Sequence, residues 1–431
     1  MDRYFAMKKL PANAGYKKGD VFVLIGELFG RGYANGIVDE ARKAGMTIVG
    51  TTVGRRDSDG TLRPLNADEL AEAQSNLGGK IINIPLEAGF DMEQGANGQS
   101  FAEILKSIKP DSYESFVLDK AFLEEVRAKG AARFNSNLAA VVAELQKAVP
   151  AGANILFSHA MAGGIPRVRL FMPLLNKVFK GTGDKYLASE TFWNTQLGEL
   201  CQASFNEVSA DTFGYLIEAT APLRSSNEVR YTAYGYHGCE VLIDGAYLWQ
   251  SYTPYLQGGA KIRLEDHAIR AKGQGITATV YNCPEIQTNS SALFMGVELS
   301  LYPLIQSLRN EGDSAAAKAV FAECQELLGD GVTLDDLLKA AGDYLAAPVM
   351  KQFLTFGQWP HHSTKEQMEL MLETSAKLIA MNKSPKEIVC APLSRVVFQT
   401  TGQLMFHDSW APEKPVAWLN HDIIAKRFCA A

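Results

Sequence analysis

The chain has 431 residues, 47% of them hydrophobic and 21% charged, and a formal net charge of −6 at pH 7. That acidic balance argues against a nucleic-acid binder, which carries a basic excess, and no apolar run reaches the roughly 20 residues of a membrane-spanning helix. The charged start MDRYFAMKKLPANAG has no apolar core of a signal peptide, and the scattered cysteines form no CxxC pair, so a cytoplasmic protein with reduced thiols and no metal site is expected.

After Asp20 the apolar run VFVLIG reads as a buried strand. Gly26, Gly30 and Gly32 follow it, a periodic stretch from Ile37 to Ala44 reads as a helix, and MTIVGTTV reads as the next strand. Glycines at a first strand-to-helix turn let the backbone approach a pyrophosphate at a helix N-terminus, so a dinucleotide site is expected, against an ordinary tight turn. The end of the second strand selects the cofactor. An acid there would bind the adenosine 2′-hydroxyl, but the chain has Gly54, Arg55 and Arg56. Guanidinium groups match a 2′-phosphate, so NADPH is expected, with NADH the alternative. Arg31 in the glycine turn adds to this reading, whereas solvated loop arginines, with Asp57 and Asp59 nearby, oppose it.

Lys80 to Ile84 is a third strand, with Asp91 just beyond it, a candidate acid for the adenine amino group of a dinucleotide, against a merely solvated loop aspartate. Residues 92–131 read as an insertion, followed by a helix at Ala132 to Lys147. Asn154 to Phe157 is a fourth strand, continuing through Ser158, His159 and Ala160, small or polar residues suited to lie along a nicotinamide ribose. For His159, a hydrogen-bonded structural histidine is expected over a proton relay. Val168 to Lys180 is an apolar segment suited to an acyl pocket or lid, and Val208 to Leu223 a long helix.

Val229 to Tyr236 is a strand, Lys261 sits on a helix ending near Lys272, and Ile276 to Tyr281 is another strand. Residues 293–390 read as a helical substrate-binding insertion, and residues 396–408 (VVFQTTGQLMFHD) as the last strand. The expected architecture is α/β, a single Rossmann-type domain over residues 1–431 with a doubly wound parallel sheet.

Several pieces are similar to one family. The glycine turn, Thr232-Ala233-x-x-Tyr236-x-Gly238-x-Glu240, Tyr252-x8-Lys261 and Gln287-Thr288-x-Ser290-Ser291-Ala292 resemble the short-chain reductases that act as enoyl-acyl-carrier-protein reductases of the FabV type, the related trans-2-enoyl-CoA reductases, and within them the FabMG branch. The stretch from Tyr236 to Tyr252 is longer than in the FabV pattern, and Arg31 stands where FabV proteins have an aromatic. The resemblance implies reduction of the 2,3-double bond of a trans-2-enoyl thioester, carried on acyl carrier protein or coenzyme A. Tyr252, rather than Tyr255, is the implied donor to the enolate oxygen, with Tyr236 assisting. Lys261 would bind the nicotinamide ribose, and Ile286 and Thr288 would touch the cofactor. A carbonyl or hydroxysteroid reductase is the second reading. It is disfavoured because neither Tyr252 nor Tyr255 has a lysine four residues on, and Cys239 stands where such enzymes carry serine, thirteen before Tyr252. A non-catalytic NADPH-binding sensor is the third.

Overall fold

Runs of consecutive apolar residues such as Val21–Ile25, buried on both faces, form strands only where helices cover both sides, which is the setting of a parallel sheet. The computed structural model describes residues 5–30, 32–180, 189–235, 238–243, 246–251, 256–288, 296–353 and 363–430. Its main sheet has eight strands: β1 (Phe5–Ala6), β2 (Val21–Ile25), β3 (Thr47–Thr52), β4 (Lys80–Pro85), β5 (Asn154–His159), β6 (Glu228–Gly235), β7 (Thr277–Asn282) and β8 (Val416–Trp418). All pairings are parallel, in the spatial order β1-β8-β7-β6-β5-β2-β3-β4. The order reverses between β2 and β5, where Leu24 lies opposite Ser158 and Ile25 opposite His159. This is a Rossmann-type doubly wound sheet.

Alternate residues of each strand serve opposite faces. Leu24, Leu156, Tyr234 and Tyr281 join one core with helix α1 (Ala34–Lys43) and the C-terminal helices. Val23, Phe157, Ala233 and Val280 join the other, beneath α2 (Lys120–Ala148), α3 (Thr212–Ala219) and α4 (Leu256–Gly273). The helix expected from Ala132 starts earlier, capped by the Asp119 side chain on the Phe122 N–H. A third cluster joins Phe101, Tyr113 and Leu123 to Phe171, Leu174 and Leu200. The stretch read as an insertion and the apolar segment after Val168 therefore pack on each other. Residues 297–380 contribute helices, among them Ala315–Leu327, Leu334–Leu345 and Lys365–Ala380.

One expectation is overturned. Residues 396–408 are not the last strand; they lie in helix α5 (Cys390–Asp408), and β8 takes the sheet position instead. Val396, Val397, Thr400 and Thr401 favour strands locally, but their burial follows helical spacing with Leu393, Leu404 and Met405. Gly402 then permits a close crossing with α1: a Cβ there would lie 2.1 Å from the Gly36 carbonyl carbon. Tertiary packing outweighs the local preference.

The longer stretch before Tyr252 contains an antiparallel hairpin, Gly238–Ile243 against Ala246–Ser251. It is fixed to the end of β8 by reciprocal hydrogen bonds between Glu240 and Asn420 (2.9 and 2.5 Å). No helix among the described residues is long and apolar enough to cross a membrane.

Candidate active site

Where strand order reverses, the loops leaving neighbouring strands part and open a crevice at their C-terminal ends. A cleft of about 300 Å3 lies there, lined by Gly26 and Glu27 after β2, Val53 after β3, Glu87 and Asp91 after β4, and Ala160 after β5. Gly26 has φ +115° and donates its N–H to the Thr51 hydroxyl at 3.0 Å, so the chain turns tightly beside Ala160. Gly30 and Gly32 follow in open space. Arg31 lies outside the described residues.

Beyond β3, Gly54 leads into the short hairpin of Arg55–Arg56 with Leu62–Arg63. Its φ of +78°, with the Arg63 carbonyl 2.7 Å from where a Cβ would stand, admits little besides glycine. The two arginines do not present bare guanidinium groups to the cleft. Arg55 donates to both carboxylate oxygens of Glu27, at 2.8 and 3.2 Å. Arg56 makes a two-pronged contact with Glu87, its Nε at 2.9 Å, and also donates to the Gly60 carbonyl at 2.5 Å. Glu87 also pairs with Arg167, which donates its backbone N–H and one guanidinium N–H to Asp91, at 2.7 and 3.2 Å. Asp91 thus lines the cleft as the partner of Arg167, and burial pushes its carboxyl up from the usual range. The cation pairs foreseen for a 2′-phosphate are closed by carboxylates.

At the inner end, Ser158 and His159 are fully buried at the close of β5. The Thr212 hydroxyl donates to the Val208 carbonyl at 2.9 Å, so it accepts from His159 Nε2, at 2.8 Å. His159 Nδ1 is then an acceptor without a hydrogen-bond partner among the described residues. Burial, and next the charge of Lys261, hold this imidazole well below its usual range, hence neutral. The engaged Thr212 proton ends the chain at a helix carbonyl, which favours the structural reading of His159 over a relay.

Lys261, on α4, is 1% exposed. Burial lowers its amine to about 7. Its helix is anchored at two further points. Glu265, one turn on, accepts from Asn282 at the end of β7 at 2.7 Å. Asp211 receives Arg263 at 2.6 and 3.1 Å and His267 at 3.0 Å. Asp211 ends a π-helical turn, Glu207–Asp211, a local widening that often marks functional sites. The loop after β7 holds Ile286, buried, and Thr288, half-buried. It is tied down by the Gln287 N–H on the Ser394 hydroxyl at 2.8 Å.

The structure therefore gathers Gly26, Asp91, Ser158, His159 and Ala160 at the strand ends, and it buries Lys261 beside His159. Tyr252, Tyr255 and Tyr236 lie outside the described residues. Glu27, Glu87, Arg167 and Asp211 were not foreseen. The first two had a signal in the sequence, each being an acid directly beyond a strand end; Arg167 and Asp211 had none, because their partners are remote in sequence.

A family model described as enoyl-acyl carrier protein reductase FabMG matches residues 3–428. Two solved structures are similar over the whole length. One is an apo structure of FabMG, 49% identical, with a TM-score of 0.95, covering 99% of this chain and 98% of that one. The other is an NADH-bound structure of FabMG, 40% identical, with a TM-score of 0.79, covering 99% of both chains. No curated protein matches the sequence.

Proposed function

The chain belongs to the FabMG family of enoyl-acyl carrier protein reductases and is an oxidoreductase, and from that premise we propose that it reduces trans-2-enoyl thioesters on acyl carrier protein in the cytoplasm, with NADH as the reductant. The observation that carries the cofactor choice is the closure of Arg55 by Glu27 and of Arg56 by Glu87. A 2′-phosphate would have to compete with carboxylates already in place. The FabMG relative described with NADH bound supports the same choice.

The cleft fits a nicotinamide dinucleotide. It sits at the strand-order reversal, and His159 Nδ1 nearby offers a buried acceptor that no described residue uses. Gly26, Gly30, Arg31 and Gly32 would face the pyrophosphate, and Ser158, Ala160, Ile286 and Thr288 the nicotinamide end. The bound cofactor supplies a hydride to the β-carbon of the enoyl group. Negative charge then gathers on the thioester oxygen. Tyr252 donates a hydrogen bond to it, with Tyr236 assisting, and the α-carbon then takes a proton from water. Lys261 holds the ribose hydroxyls in its ammonium form.

Oxidation of NADH and of NADPH, followed with enoyl thioesters on acyl carrier protein and on coenzyme A, tests this. NADH turnover with the enoyl group on acyl carrier protein is expected. Turnover of acetoacetyl but not crotonyl thioester would establish a carbonyl reductase instead, and cofactor binding with no turnover at all a sensor. Tyr252→Phe should cut kcat on the order of 100-fold at saturating NADH, with Tyr255→Phe near neutral. The reverse pattern would exchange their roles.

A further inference from the structure

We infer that Glu27, at the end of the first nucleotide-turn strand, is the residue that sets NADH over NADPH, a role usually held by an acid at the end of the second strand. This rests on the NADH reading above. At the usual position the chain has Gly54-Arg55-Arg56, which by itself would attract a phosphate. Glu27 supplies the missing negative charge from the adjacent strand. Its side chain is 9% exposed and lines the cleft. Its Oε1 accepts from the Thr52 hydroxyl (2.5 Å), the Val53 N–H (3.1 Å) and Arg55 Nη1 (2.8 Å). Thr52 in turn receives the Gly54 N–H at 2.9 Å, so the carboxylate is built into the turn that shapes the adenosine end.

The two oxygens differ in load. A carboxylate offers about four lone-pair sites. Oε1 takes three donors, whereas Oε2 receives Arg55 Nη2 at 3.2 Å and keeps acceptor capacity. A ribose 2′-hydroxyl can donate to such an oxygen. A 2′-phosphate carries no donor when ionised and meets a fixed negative charge in a partly buried site. Arg55 is the only cation on Glu27 among the described residues, and it also donates to the Gly54 carbonyl at 2.8 Å, which holds the guanidinium against the turn.

Glu27→Gln separates charge from shape. The amide oxygen keeps the bonds to Thr52, Val53 and Arg55 Nη1, while the NH2 in place of Oε2 cannot accept from Arg55 Nη2 and the negative charge that neutralises the guanidinium is gone, so its cation is left to a phosphate. Binding of NADH and NADPH to the ligand-free protein is measured by isothermal titration, alongside kcat/KM for each. The wild type should prefer NADH. In Glu27→Gln the ratio of NADPH to NADH affinity should rise at least tenfold, and adding Arg55→Ala should abolish that gain. Glu27→Asp, which withdraws the carboxylate from Arg55, serves if the glutamine variant does not fold, with a smaller rise expected. A wild type that prefers NADPH overturns the NADH reading. A wild type that prefers NADH, with the ratio unchanged in a folded Glu27 variant, overturns the role of Glu27 alone. A gain that survives Arg55→Ala overturns the role given to Arg55.

Discussion

Replacing Lys261 with Met keeps the side-chain volume and removes the amine. In the ligand-free protein, burial lowers that amine from 10.5 to about 7. At about 1.4 kcal/mol per pH unit, the fall corresponds to about 5 kcal/mol of destabilisation when the lysine is charged, an upper bound. The sign follows from proton counts. Between about pH 7 and the unfolded value of 10.5, the unfolded chain carries a proton on this lysine and the folded chain does not. Wild-type stability therefore gains about 1.4 kcal/mol per pH unit from this group as pH rises through that window. Below about pH 7 both states are protonated and the full cost remains. Lys261→Met has no such slope. Its stability relative to wild type should be most favourable near pH 6.5 and should decline steadily toward pH 9.5, the other titrations cancelling in the difference. Urea unfolding of both ligand-free proteins across that range reads it out. Parallel profiles, with a constant difference at every pH, would show that Lys261 is not a buried amine with a lowered pKa, and the electrostatic argument for its role would fall.

The same lysine predicts that NADH affinity, if the ammonium form holds the ribose, weakens as pH rises above about 7, and that Lys261→Met binds NADH weakly at every pH; titration calorimetry at several pH values checks both. Asp408 accepts from the Tyr281 hydroxyl at 2.8 Å, and burial raises its carboxyl from 3.8 to about 6. A raised acid loses stability as pH climbs through that interval, so Asp408→Asn, which keeps the acceptor, should be more stable at pH 8 by up to about 3 kcal/mol, with no gain at pH 3.5. Unfolding curves at the two pH values decide it. Gly402→Val should cost more than the roughly 1–3 kcal/mol of ordinary overpacking, because its Cβ would meet the α1 backbone; a neutral or raised melting temperature would mean that no close helix crossing exists there.

Local pattern carried much of the fold. VFVLIG, MTIVGTTV, KIINI and NILF have no polar alternation, and such runs suit a sheet covered on both sides, so the parallel doubly wound class and strands β2 to β5 were legible in the chain itself. The helices after residue 296 were legible for the same reason, since their apolar spacing repeats about every 3.6 residues. Lys261 was singled out by its resemblance to the Tyr-x8-Lys motif, whereas the burial of its amine was decided by packing, because a lysine on a helix can also carry its amine to solvent. Residues 396–408 were misread because their β-branched residues report local preference, whereas the outcome depended on Gly36 and Gly402 meeting at 2.4 Å or less from a Cβ, a contact between positions remote in the chain. The arginines after β3 depend on remote positions in the same way. A guanidinium has the same chemistry in any sequence, but whether it meets a phosphate or a carboxylate is decided by Glu27 and Glu87, which only the folded sheet brings to it. The sequence by itself determined which residue types stand at the strand ends; the tertiary structure decided which charges cancel there, because electrostatic pairing depends on distance in space and not on separation along the chain.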